Sequence, residues 1–175
     1  MKRSKTEYVD IWVEKSRLKD PQFWHMKAWQ FASSSHFIRQ EFLKIKDGAK
    51  LNEVGDLFNA INSTPYLTGM ALELFMKGYL VYKGEDPEKI RTKIGHDLKK
   101  LREFCCRYKD KRFLKRELIF VTDRLGEQIM KDGGIRYPDV RPMGIYFDEF
   151  DIALKTLQEI SGEIDKELTK FITNG

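Results

Sequence analysis

The stretch from Thr64 to Gly84, TPYLTGMALELFMKGYLVYKG, decides the fold. Its apolar residues are Leu67, Met70, Ala71, Leu72, Leu74, Phe75, Met76, Tyr79, Leu80 and Val81. Wound at 3.6 residues per turn they occupy every side of a helix and leave no polar face. Such a helix has to be enclosed by others, so the segment reads as the central, buried helix of an all-α bundle. Glu73 and Lys77 are its only charges before Lys83, and their i,i+4 spacing predicts that they pair.

The flanking sequence predicts helices on both sides. Residues Thr6 to Leu18 carry Ile11, Trp12 and Leu18 among charges and read as a short amphipathic helix. Asp20-Pro21 is a start signal, an acid at the cap followed by Pro at the first helical position. The helix it opens runs to about Lys46, with Phe23, Trp24, Ala28, Phe31, Ala32, Ser35, Ile38, Phe42 and Ile45 as its apolar side. A weaker helix covers Asn52 to Ile61. Asp86-Pro87 opens a short helix that stops near Gly95, and Asp97 to Lys109 follows. Another runs from about Arg112 to Lys131 on a stripe of Leu114, Leu118, Val121, Leu125 and Ile129. After the loop DGGIRYPDVRPMG, a last helix from about Asp148 to Thr173 shows Phe150, Leu154, Leu157, Ile160, Ile164, Leu168 and Phe171, close to a heptad seam. No segment alternates with period two.

Composition agrees with this and narrows the function. The 175 residues are 41% hydrophobic and 13% aromatic, enough for a core and the size of one domain. No stretch of 18 uncharged apolar residues exists, so no membrane span is expected. Met1-Lys2-Arg3-Ser4-Lys5 runs into Glu7, Asp10 and Glu14 with no apolar region behind it, which places the chain in the cytosol. Cys105 and Cys106 are adjacent, and no Cys/His cluster exists, which excludes a disulfide scaffold and a zinc site. His25 and His36 lie about 16 Å apart along their helix and cannot share a metal. No metal and no cofactor are expected.

Charge is unevenly placed. Between Lys89 and Arg116, 12 Lys or Arg face only Asp97, Glu103 and Asp110, a local charge of +9. From Tyr146 onward seven acids meet three lysines, giving −4. The basic run attracts polyanions unless the acidic helix or another subunit neutralises it. Within it, Arg91 and His96 sit on either side of a helix stop at Gly95, just before a new helix begins. Free amides, a guanidinium and an imidazole there would make a phosphate site. Alternatively His96 or Asp97 simply caps the helix, with Gly95 closing the previous one. Lys93, Lys99, Lys100 and Arg102 extend the basic run. Arg136-Tyr137-Pro138-Asp139 with Arg141 either stacks on a base and holds a phosphate or is a turn. Trp12, Trp24 and Trp29 belong to the core or to an exposed aromatic surface.

Ala71, Glu73, Lys77, Tyr79 and Leu80, the stop at Gly84, then Gly95-His96-Asp97-Leu98 and Leu101, and the later Arg136-Tyr137-Pro138-Asp139 before a long final helix together resemble the HEPN domain. The resemblance spans roughly Ser63 to Lys170, within a single domain of residues 1–175 whose first 62 residues add N-terminal helices. It implies four or five antiparallel core helices, a homodimer, and a prokaryotic toxin–antitoxin or defence role, often beside a small nucleotidyltransferase. It implies two functions. One is a module that binds a nucleotide, RNA or a protein partner through its basic face. The alternative is a metal-independent endoribonuclease in which Arg91 and His96 form the catalytic Arg-x4-His pair, the histidine moving the proton and the arginine stabilising phosphorane charge.

Overall fold

The computed structural model describes residues 16–44, 55, 60–131 and 147–173. It holds six α-helices, α1 (Pro21–Leu43), α2 (Thr64–Tyr82), α3 (Pro87–Lys93), α4 (Leu98–Cys106), α5 (Arg116–Lys131) and α6 (Phe147–Thr173), with a single 3-10 turn at Lys111–Leu114. No strand occurs among the described residues. Most of the expected Thr6–Leu18 and Asn52–Ile61 helices and the whole 132–144 loop lie outside them, and the described end of the first, residues 16–18, is helical. None of the described helices is long and apolar enough to cross a membrane.

Aspartates set where the helices begin. Asp20 accepts from Gln22 N at 2.9 Å, Asp86 from Glu88 N at 3.0 Å, Asp97 from Lys100 N at 3.0 Å, and Asp110 from Arg112 N at 3.0 Å. Each satisfies an amide that the first turn leaves without a partner. Pro21 and Pro87 occupy first-turn positions, as the Asp-Pro pairs predict. The expected Arg112–Lys131 helix instead splits at Lys115, whose extended backbone (ψ 134°) separates the 3-10 turn from α5.

α2 is the enclosed helix that its composition requires. Ala71, Leu72, Phe75, Met76, Tyr79, Leu80 and Val81 are all buried, with Leu98, Leu101, Cys105, Phe113, Leu118, Val121 and Leu125 beyond them and Ala153, Leu154, Leu157 and Ile160 from α6. Polar contacts fix the directions. On α1, His25 meets Asp165 and the ring lies against Gly78, whereas Ser35 meets Thr68 at 2.9 Å and Arg39 pairs with Asp151. α1 therefore runs antiparallel to both α2 and α6. Arg102 on α4 meets Thr122 on α5, and the α4 start lies beside Gly126, so these two are antiparallel as well.

α1 buries Ala28, Ala32 and Ser35 of its predicted apolar side, but adds His25 and Arg39 to them and leaves the large apolar residues at the flanks. Its fully buried line is His25, Ala28, Ala32, Ser35 and Arg39, while Phe23, Trp24, Phe31, Ile38 and Phe42 flank it half-buried. Small residues let α1 approach α2 closely, and the large ones close the sides. Trp24 donates from its indole to Leu18 O at 2.8 Å, and Trp29 is exposed with its ring edge-on to Phe75 at 5.9 Å. The approach is closest at Gly78, where an added Cβ would lie 2.5 Å from His25 Cδ2 and 2.6 Å from Nε2. Because the ring is buried and its Nδ1 is 2.9 Å from Asp165 Oδ1, it has nowhere to retreat.

In an exposed helix Gly→Ala stabilises by about 1 kcal/mol. Here Gly78→Ala is expected to destabilise by roughly 1–3 kcal/mol through overpacking. In a His25→Ala background most of that cost should disappear, which urea unfolding of the four proteins of the cycle would read as a coupling between the two positions.

Candidate functional site

A buried charge network that reaches the surface starts inside α2. Glu73 and Lys77, one turn apart, pair as predicted, Lys77 Nζ donating to Glu73 Oε1 at 2.7 Å, and both side chains are 7% exposed. The ammonium also lies 5.9 Å from the centre of the Trp24 ring. The same carboxylate takes a second partner that sequence reading had not joined to it. His96 Nδ1 stands 2.9 Å from Glu73 Oε1 and 3.1 Å from Oε2, with the imidazole 71% exposed. In the neutral ring this contact makes Nδ1 the N–H donor and turns Nε2, with its lone pair, outward. Lysine, carboxylate and imidazole thus form a chain from core to solvent.

The backbone that delivers His96 follows the capping alternative. Gly95 sits at φ +66°, a left-handed conformation that suits glycine, and its N–H bonds to Ile90 O at 3.1 Å, closing α3. Asp97 then caps α4. At this helix start the Asp97 carboxylate takes the Lys100 amide. Asp97 already places a carboxylate there, and Gly126 of α5 approaches Lys99 N to within 3.9 Å of a Cβ position.

Arg91 and His96 are neighbours in sequence but belong to different carboxylates. Arg91 Nε donates to Glu88 Oε2 at 3.1 Å on the exposed side of α3, and this hydrogen bond raises the guanidinium further above its ordinary range. Thr92 Oγ1 donates to Glu88 O at 2.9 Å.

The remaining basic residues divide into two groups. Lys89, Lys93, Lys99, Arg107, Lys109, Lys111 and Arg116 are exposed, and among the described residues no carboxylate pairs with them. Lys100 is exposed with Asp97 Oδ2 at 3.4 Å. Arg102, expected on the binding face, is instead buried: Nε donates to Thr122 Oγ1 at 3.0 Å and Nη2 to Asp123 Oδ1 at 3.4 Å, so its guanidinium ties α4 to α5 and is not presented outward. Arg112 joins Asp110 to Glu163 of α6, at 2.8 and 2.6 Å, the single point where the acidic helix neutralises the basic run among the described residues. Arg136, Tyr137 and Arg141 lie outside the described residues.

Other chemistry is limited. Burial pushes the Cys105 thiol up, away from thiolate character. No group of three His, Cys, Asp or Glu that could hold a metal ion occurs among the described residues. Comparison with known proteins brings no family model, curated protein or solved structure that matches the chain.

Breaking the interior pair from one side leaves a buried charge behind. Lys77→Met is expected to cost about 3–5 kcal/mol in urea unfolding, and adding Glu73→Leu to it should recover a large part of that loss. Recovery of none would show that the pair holds the helix by more than mutual neutralisation.

Proposed function

We propose that the chain is a HEPN-like helical module that binds RNA through the basic face between Lys89 and Arg116. The observation that carries this reading is the set of exposed cations, Lys89, Lys93, Lys99, Arg107, Lys109, Lys111 and Arg116, that pair with no carboxylate among the described residues. A face built to hold its own acidic helix would be paired throughout, and among the described residues only Arg112 reaches α6 by an ion pair. A strand of phosphates satisfies such a face without requiring fixed geometry, by displacing counterions. Arg107 additionally lies over the Phe104 ring, its Cζ 3.7 Å from the ring centre, a cation already held against an aromatic face. The same family resemblance implies a homodimer in a prokaryotic defence or toxin–antitoxin setting, with a small nucleotidyltransferase as partner.

A second reading, a metal-independent endoribonuclease using Arg91 and His96, is favoured by one observation: Glu73 orients His96 so that Nε2 can take a proton. It requires Arg91 to leave Glu88 when RNA arrives. Cleavage of mixed RNA in EDTA by the parent, but not by folded Arg91→Ala and His96→Ala proteins, would establish it. Equal cleavage by all three would exclude it.

Binding is separable from cleavage by its salt dependence. The affinity for a short single-stranded RNA should fall with salt by about 0.7 log units per log unit for each phosphate contact. Replacing Lys93, Lys99 and Lys100 together by Ala should flatten that slope by about 2. No RNA binding even at low salt would leave an acidic protein as the partner of this face.

A further inference from the structure

Three histidines sit in three settings. His25 is buried, His36 on α1 is exposed and makes no hydrogen bond among the described residues, and His96 is exposed but held from beneath by Glu73. A carboxylate on Nδ1 fixes the ring orientation and tautomer. An imidazole of this kind either serves as base for a neighbouring nucleophile or is the nucleophile itself. Among the described residues no hydroxyl or thiol hydrogen-bonds to His96. Thr92 Oγ1 is occupied by the carbonyls of Glu88 and Lys89, and Cys105 is buried with a raised thiol. The His96 ring is 71% exposed with Nδ1 held by Glu73, which leaves Nε2 without a hydrogen bond among the described residues, and exposed Lys93, Lys99 and Lys100 flank it in the chain.

We propose that His96 is a phosphoryl acceptor, its Nε2 taking the phosphoryl group of a small acyl phosphate, with Glu73 as the positioning residue and Lys77 neutralising Glu73 from inside. The Nε2 lone pair attacks phosphorus and forms the N–P bond. The bond from phosphorus to the acyl oxygen breaks, and its electron pair leaves with the carboxylate. The ring becomes an imidazolium whose Nδ1–H already rests on Glu73, so the new positive charge is met by an existing negative one. Nothing is oxidised or reduced, and the acyl phosphate is the only co-reactant. The flanking lysines favour approach of the anionic donor. This acceptor chemistry stands independently of RNA binding.

The test uses acetyl phosphate on the full folded chain, with His36 as an internal reference. Modified sites are followed in time by mass spectrometry, and the linked nitrogen is identified by phosphorus–nitrogen correlation in NMR. The expected result is phosphorylation of His96 at Nε2 about tenfold faster than of His36, the scale on which a partner behind an imidazole acts. In denaturant the two rates should converge. Equal rates in the folded protein, linkage through Nδ1, absence of label at His96, or a difference that survives denaturation would each overturn the assignment. In Glu73→Gln, Lys77→Met protein, which leaves no unpaired charge inside α2, the His96 rate should drop towards that of His36 while His36 is unchanged. An unchanged His96 rate would remove Glu73 from the proposal. If that variant does not fold, the His96-to-His36 comparison in the parent protein still decides.

Discussion

A helix with apolar side chains on every face can exist in water only inside other helices, and the rest of this structure follows from enclosing α2. Its hydrophobic residues meet α1, α4, α5 and α6 in turn. Enclosure creates its own problem, because Glu73 and Lys77 go inside with it. Separate burial of either charge would be far too costly, and i,i+4 spacing on one helix lets them neutralise each other with no help from another element. Glu73 takes a further partner in His96, from the turn between α3 and α4.

Local signals in the sequence were enough for the helices themselves. Asp20-Pro21 and Asp86-Pro87 combine a side-chain acceptor with a residue whose missing N–H is no loss in the first turn, so both starts lie where the residues place them. The all-round apolarity of α2 was likewise a property of one segment. What was not legible depends on partners far away in the chain. His25 and Arg39 are polar, so period counting left them off the apolar side of α1, where it set Ala28, Ala32 and Ser35 beside the aromatics. The buried line instead follows Asp165, Thr68 and Asp151, residues 33 to 140 positions away. Arg102 misled in the same way: within a basic run it reads as one more surface cation, and only Thr122 and Asp123 across the α4–α5 contact make it interior. Of the site, the Glu73–Lys77 pair was readable from spacing, whereas its extension to His96 spans 23 residues and a turn.

The charge asymmetry looked at first like a balance between a basic and an acidic half. The acids of α6 are spread over several tasks. Asp165 holds His25, Asp151 holds Arg39, Glu167 accepts from Tyr82 and Glu163 meets Arg112. Asp165 and Asp151 pin α1, and Glu167 binds α2. That leaves most cations of the Lys89–Arg116 run without a counter-charge among the described residues, and a net charge of this kind acts on partners outside the fold.

His25 and His96 show how one chemical pair yields two different objects. Each imidazole presents Nδ1 to a carboxylate at 2.9 Å. At His25 the ring is 1% exposed and the carboxylate 33%, so the acid faces water while Nε2 points at Gly78 with no hydrogen-bond partner. That lone pair can meet no reactant, and the residue works as a packing element whose shape excludes a side chain at position 78. At His96 the order is reversed: the acid is interior and the ring is in solvent. The carboxylate is then shielded from water, which strengthens its hold on Nδ1, while Nε2 is open to whatever reaches the surface. Chemistry at a histidine–carboxylate pair is thus set by which member is buried, and in this fold the enclosure of α2 makes that choice for His96.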